Sequence, residues 1–368
     1  MKKSLIALAA LAATTAFAQS SVTISGQLDA GFSSVKLGNN ATQDQMNTGI
    51  HGASRLRFVG TEDMGGGNKA NFWLEMQPSF QNGGVSGDLF NRGAWLGLQG
   101  GWGELRLGRQ GTNTIGAICT IDQHGCYSGF YGGGILFTGT NGTGATGSGW
   151  MLANPTRGGT QAPSTANNAY YASSASAGVD ATRYVRAIRY SLPTLVTGLS
   201  VNATMAYGTV ASATAAAAGN SSGIDATYAA GPLAVVFAYQ KADASAGADQ
   251  SGELTTFGAT YDLGVAKLGA GVQQEKAKGT AVAFTKGDSY ALTATVPMGA
   301  FTPYVKYGEH KYSGGTLGSV TNAKITNVGV RYALSKRSLV YVDYVNNAAT
   351  VAGTNQKTMT SVGIQHNF

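Results

Sequence analysis

The side chains with the strongest chemistry to offer are arginines. Arg55, Arg57, Arg106, Arg183 and Arg189 alternate with apolar residues and share parity with Asp29, Glu75, Asp225, Asp262, Lys267, Lys306, Arg331 and Asp343. A guanidinium stays ionised at any physiological pH, so such a set makes a fixed positive field rather than a proton-transfer device. Acid–base work needs a base within about 3 Å of its partner. The four histidines, His51, His124, His310 and His366, show no spacing that suggests one: His51 and His310 fall at loops or rims, and His366 falls on an apolar face. Basic residues also lead over the whole chain, whose formal charge is +7, but they form no run, and no nucleic-acid motif accompanies them.

Cys119 and Cys126 are the two cysteines, with His124 between them. One His and two Cys leave a tetrahedral metal site incomplete, so no metal is expected. A local disulfide is the default for a chain sent to an oxidising compartment. The first eighteen residues read as such a leader: Lys2 and Lys3, an apolar stretch from Leu5 to Ala13, then Ala16-Phe17-Ala18 as a cleavage site. The mature domain is then 19–368. No cofactor motif appears in it.

The elements that must carry these charges are strands. No later segment approaches the roughly 18 apolar residues of a membrane helix. Only 12% of residues are charged, against about 25% in ordinary soluble domains. From Ser21 the chain alternates with period two, and sixteen strands are predicted: 21–35, 54–63, 69–78, 92–99, 103–110, 182–192, 199–210, 222–230, 233–241, 253–263, 265–276, 288–296, 301–312, 323–334, 338–345 and 358–368. Leu233, Val235, Phe237 and Tyr239 share one face, as do Tyr290, Leu292, Ala294 and Val296; Thr, Gly, Asn and charges take the other. Short connections, such as Gly231-Pro232 and Gly264, take turns with long ones rich in Gly, Ser, Thr and Asn. Transmembrane barrels have an even strand number, short periplasmic turns and long external loops. The fold class predicted is therefore all-β: a sixteen-stranded antiparallel transmembrane barrel, apolar outside and hydrated within.

A cation on the lipid face costs about 2–4 kcal/mol at the midplane, and three residues sit awkwardly. Arg92 and Glu309 share parity with apolar neighbours towards strand ends, where the water boundary accommodates them. Arg186 shares parity with Tyr184, Ile188 and Tyr190 in mid-strand, which calls for a bulge or a contact with another subunit. The aromatic residues Tyr190, Tyr207, Tyr239, Tyr332 and Tyr344, with Tyr170 and Tyr171, are assigned to rim girdles or a subunit contact. The segment from Gly111 to Ala181 has no regular strand, only Gly-rich and aromatic stretches; a loop of that length points to function. Its acids are Asp122 and Asp180. Asp122 has two readings: it opposes the arginines across a transverse field, or it is an ordinary loop carboxylate.

Several passages resemble the porins of β-proteobacteria, the family of the Comamonas, Bordetella and Neisseria general porins. Ser21-Val22-Thr23-Ile24-Ser25-Gly26-Gln27-Leu28-Asp29 is similar to their first strand, and Ser54-Arg55-Leu56-Arg57-Phe58-Val59-Gly60-Thr61-Glu62-Asp63 to the second. Asn71-Phe72-Trp73-Leu74-Glu75, Asn91-Arg92-Gly93-Ala94-Trp95 and Gly103-Glu104-Leu105-Arg106-Leu107-Gly108-Arg109-Gln110 resemble the next three. The chain ends on Phe368, like the last strand of outer-membrane proteins, where the final Phe belongs to the signal read by the barrel assembly machinery. The resemblance implies a homotrimer in outer-membrane lipid. It also implies a third loop, here 111–181, folded inward to narrow a channel for passive diffusion of small hydrophilic solutes and ions. Arg55, Arg92 and Arg183 match an arginine cluster at the constriction of anion-preferring relatives, and Glu75 matches an acid beside it. That makes Arg55, Arg57, Glu75, Arg92, Arg106, Asp122, Arg183 and Arg189 the candidate pore-lining set, with a modest anion preference and no enzymatic role. A solute-specific channel is the alternative, and a barrel enzyme a more remote one.

Overall fold

Where the sequence alternates, the chain is strand. The computed structural model describes residues 21–37, 41–85, 88–122, 183–208, 220–243, 251–278, 285–314, 321–349 and 357–368. Among them are seventeen strands and one helix. In order these are β1 (Ser21–Leu37), β2 (Gln43–Thr48), β3 (Arg55–Gly65), β4 (Asn68–Met76), β5 (Gly93–Gly100), β6 (Gly103–Gly111), α1 (Asn113–Ile121), β7 (Arg183–Ser191), β8 (Leu199–Ala206) and β9 (Ser221–Ala230). There follow β10 (Leu233–Ala242), β11 (Ser251–Asp262), β12 (Lys267–Lys278), β13 (Lys286–Thr295), β14 (Phe301–Ser313), β15 (Thr321–Ala333), β16 (Ser338–Ala349) and β17 (Lys357–Asn367).

Each strand pairs antiparallel with the next, and β17 pairs with β1 from Gln27↔Asn367 to Leu37↔Lys357, so the sheet closes. One edge of β1 is shared by two strands: β2 covers Ala30–Val35 and β3 covers Ser21–Gln27. β2 and β3 are thus one wall position interrupted by residues 49–54. The barrel has sixteen positions, as predicted. β2 itself falls in a stretch predicted to be loop, because Met46 is the lone large apolar residue of Gln43–Thr48.

The outward face is apolar. Val22, Ile24, Phe32, Leu292, Val362 and Ile364 all stand exposed, whereas the alternate residues Asp29, Ser33, Glu275, Lys306, Asp343 and Ser361 are shielded on the inner side. A soluble protein would bury the first set; a barrel in lipid exposes it. Rings gather at the short-turn rim, where Trp102 stacks on Tyr190 and Phe301 meets Tyr332 at a tilt.

The three awkward residues each have a local answer. Arg92 precedes β5 and escapes its parity. Glu309 stays outside near the end of β14, bonded by the Tyr290 hydroxyl at 2.9 Å and reached by Tyr307 and Lys311. At Arg186 the β6–β7 register slips between Gly108 and Gln110, so that Val185 and Arg186 oppose a single residue. Arg186 takes φ 51° there. This bulge also corrects the reading of Tyr184. It lies buried on the inner side, not on the lipid parity expected from unbroken alternation.

Phe368 completes the wall. Its backbone exchanges two hydrogen bonds with Gly26, at 3.0 and 3.1 Å. A Cβ on Gly26 would stand 2.5 Å from the Arg55 carbonyl oxygen and 2.6 Å from the Phe368 ring. The ring can swing aside, but the strand backbone cannot. Overpacking of this kind costs about 1–3 kcal/mol. Gly26→Val is expected to lower the yield of compact barrel that migrates fast on unheated gels. A wild-type yield would show that the seam tolerates a side chain.

Candidate functional site

Two inward structures narrow the lumen from opposite walls. The first is α1, the start of the long segment after β6, a helix where no regular structure was expected. Thr112 caps it by accepting the Ile115 N–H at 3.3 Å. Helix α1 lies on the inner face of β8–β12. Asn113 donates to Asp225 at 2.5 Å, and Thr293 donates to the Ile121 carbonyl at 3.2 Å. The Ile121 side chain occupies the space that a Cβ would take at Gly258 and Gly271. Glycine on the inner face is therefore what lets the helix approach the wall.

Asp122, which caps the C-terminal end of α1, reaches Lys306 of β14 at 2.8 Å, and both side chains are almost fully buried. The carboxylate is thus countered by a lysine of the β14 wall. Cys119 is exposed on α1, while Cys126 and His124 lie outside the described residues, as does most of 111–181.

The second inward structure is the break between β2 and β3. Its amides wrap the Asp29 carboxylate: Ile50 donates at 2.8 Å, His51 at 3.4 Å and Gly52 at 3.1 Å. The Tyr341 hydroxyl and Gln365 add two more donors, at 2.9 and 3.3 Å. His51 stacks on Tyr341, with centroids 4.9 Å apart. Its Nδ1 lies 3.5 Å from Asp343 Oδ2 and 3.3 Å from the Tyr304 hydroxyl, which itself donates to Asp343. Ile50 fills an apolar cluster with Val35, Ile325, Tyr341, Val345 and Met359. His51 was expected at a loop or rim; it is in fact packed inside the barrel. Parity places Tyr304 and Tyr341 on the same inner face as Lys306 and Asp343, so that signal was present in the sequence.

The candidate arginines line β3–β7. Glu75 takes Arg92 Nε at 2.5 Å on one oxygen and Arg57 Nε at 2.7 Å on the other. Arg183 Nε donates to the Arg92 carbonyl at 2.7 Å, and Arg55 Nε to the Ala53 carbonyl at 3.1 Å. Two guanidiniums thus pair with one carboxylate, a third, Arg55, adds to the field there, and Arg183 ties in through the Arg92 backbone. A second group adjoins it: Arg106 pairs with Glu104 at 2.5 Å and Arg189 with Asp225 at 3.0 Å, with Arg106 and Arg189 opposite each other in register. Between Arg57 and Arg106 stand two indoles, Trp73 and Trp95, directly paired across β4 and β5. They stack 6.3 Å apart. Arg57 lies over Trp73 at 5.3 Å, and Arg106 over Trp95 at 4.3 Å. Cation–π contact holds each guanidinium where strand geometry puts the ring.

A closed barrel, oily outside, with charged side chains and two inward folds within, defines the class: a transmembrane diffusion channel. The comparisons agree. The Gram-negative porin family model matches residues 4–350, and the chain belongs to the Gram-negative porin family. It is 32% identical to the outer membrane porin protein 32 of Delftia acidovorans over 377 residues, covering 99% of this chain and 95% of that relative. A shorter stretch of 114 residues, 30% of this chain and 34% of the relative, is 40% identical to the major outer membrane protein P.IB of Neisseria meningitidis serogroup B. Among solved structures, the anion-selective porin from Comamonas acidovorans superposes with TM-score 0.74 at 26% identity, over 95% of this chain and all of that one. The protein is an outer-membrane channel through which small solutes pass by diffusion.

Proposed function

We propose that the channel prefers anions, and that Arg55, Arg57, Arg92 and Arg183 set the preference. The observation that carries this is the excess of guanidinium over carboxylate: Arg57, Arg92 and Arg55 share the one carboxylate of Glu75, and Arg183 joins them through the Arg92 carbonyl. A fixed charge at the narrow part of a wet pore concentrates counter-ions there. The anion selectivity of the Comamonas relative supports the same reading. The test is the zero-current potential of the purified channel in a planar bilayer under a salt gradient. Arg55→Ala and Arg183→Ala should each lower the anion-to-cation permeability ratio by about three- to tenfold at low salt. That is what one unit charge several ångströms from the ion path is worth in a water-like dielectric. A cation-preferring wild type would overturn the reading.

The same proposal covers the rest of the molecule. The leader 1–18 is removed, Cys119 and Cys126 pair, segment 111–181 continues inward beyond α1, Phe368 is read by the assembly machinery, and the channel is a homotrimer. It conducts without turning over a substrate. A solute-specific channel is the second reading, favoured by the inward Trp73–Trp95 pair. Against it, the flanking guanidiniums of Arg57 and Arg106 already lie over the two rings, which leaves no bare aromatic track there.

A further inference from the structure

Inside the short-turn mouth is a pocket of about 280 Å³ lined by Asp262, Gly264, Lys267, Thr295, Pro297 and Arg331. It lies well away from the arginine wall, on β11–β15. Its two cations differ from five others on the inner face. Arg57, Arg92, Arg106, Arg189 and Lys306 all have a carboxylate within ion-pairing distance. Among the described residues, Lys267 and Arg331 have none.

The acid that lines the pocket does not fill that role. Asp262 faces Lys267 in the β11–β12 register, but its Oδ1 accepts the Gly264 amide of the turn at 2.8 Å. Arg331 lies over the Tyr304 ring at 5.9 Å, and its Nε, shielded from solvent, has no hydrogen-bond partner. Donors in excess of acceptors, in a pocket with room for a small oxyanion and the waters around it, suit such a ligand.

We propose that Lys267 and Arg331 form an anion subsite at the short-turn mouth, which holds a carboxylate- or phosphate-sized oxyanion between the constriction and the periplasm. The subsite rests on the anion-channel reading and adds a second station to it. Conduction through two stations requires each to bind weakly enough to release. The subsite therefore slows an oxyanion in passage rather than trapping it.

The experiment measures chloride current through the intact channel while inorganic phosphate, and separately succinate, is added to each side in turn. Expected is a saturable fall in current, stronger from the short-turn side. Lys267→Gln with Arg331→Gln should weaken it about tenfold, since two charge-assisted contacts are lost. Lys267→Gln alone, a milder change, should weaken it less. Lys267→Arg with Arg331→Lys, which keeps both charges, should retain most of it. Block by phosphate alone, or by succinate alone, still supports the subsite if it is lost in the Gln variants, and it identifies the preferred headgroup. Wild-type block in the double Gln variant overturns the proposal, as does the absence of block from the short-turn side. Failure of the underlying reading is seen separately, as a reversed zero-current potential in the wild type. An intact anion preference with unchanged block sinks the subsite alone.

Discussion

Asp29→Ala is expected to produce a large loss of barrel stability and to open the lumen at the same time. The Asp29 side chain is fully shielded and accepts from five donors: three backbone amides of the β2–β3 break, the Tyr341 hydroxyl and the Gln365 amide. Its own backbone is tied into the same turn, through Gly49 and Ser54. Truncation leaves those donors without their acceptor, and each buried orphan costs about 1–3 kcal/mol. Water admitted from the lumen recovers part of that, so a net loss of roughly 3–5 kcal/mol is the reasonable expectation. The break then loses what seats it, and Ile50 and His51 are free to leave the wall. Two readouts separate the effects. The temperature at which the folded barrel converts to the unfolded gel species should fall. Single-channel current should become larger or noisier at temperatures where the barrel is still intact. Asp29→Asn, which retains one good acceptor oxygen, should lie between wild type and Ala. Wild-type melting and quiet, unchanged conductance in Asp29→Ala would mean that the amide cage does not hold the break.

How far the sequence foretold this geometry depends on the range of the interaction. Strands were legible because their signal is local: one face meets lipid and the other water, and every second residue says so. All sixteen predicted spans are matched to within a few residues. What parity misses is an added residue. The bulge at Val185–Arg186 turns Tyr184 inward, and only the awkward charge of Arg186 hinted at it. Helix α1 was missed for a different reason. Asn113–Ile121 is short and apolar on nearly every side, so it shows no amphipathic stripe. The seat that makes it a helix, the bare wall at Gly258 and Gly271, is more than a hundred residues away. The arginine cluster was found by parity and resemblance together. Its pairing was not, because Asp122 meets Lys306 across 184 positions, and Asp29 meets Tyr341 across 312. A carboxylate in a loop shows its charge in the sequence but not its partner. The indole pair sits between these cases. Trp73 was placed on the inner parity, but only the β4–β5 register shows that Trp95 stands directly opposite.

Glu75→Gln tests the selectivity mechanism from the opposite side, because it adds net positive charge without adding an arginine. Glu75 is the one carboxylate that bridges Arg57 and Arg92. Gln has nearly the same shape and can accept from one of them. The other guanidinium loses its counter-charge but stays near the lumen, Arg57 being steadied by Trp73. One additional unit charge at roughly 7 Å, in a water-like dielectric, is worth about 0.6 kcal/mol, close to threefold for an anion and the inverse for a cation. The permeability ratio should therefore rise about three- to tenfold in 0.1 M salt. It should shrink towards the wild-type value in 1 M salt, where the screening length falls to about 3 Å. The variant also separates two roles of Glu75. If the carboxylate chiefly holds Arg92 in place, its loss releases that side chain, barrel stability falls by about 3–5 kcal/mol as for a broken buried pair, and selectivity changes little. If it chiefly attenuates the field, the potential moves strongly and the melting temperature moves less. The described geometry favours the second outcome, since Arg92 keeps Gln77 at 2.9 Å and its backbone N–H still donates to the residue 75 carbonyl. A zero-current potential that shifts towards cations in Glu75→Gln would contradict the assignment of the cluster as the selectivity element.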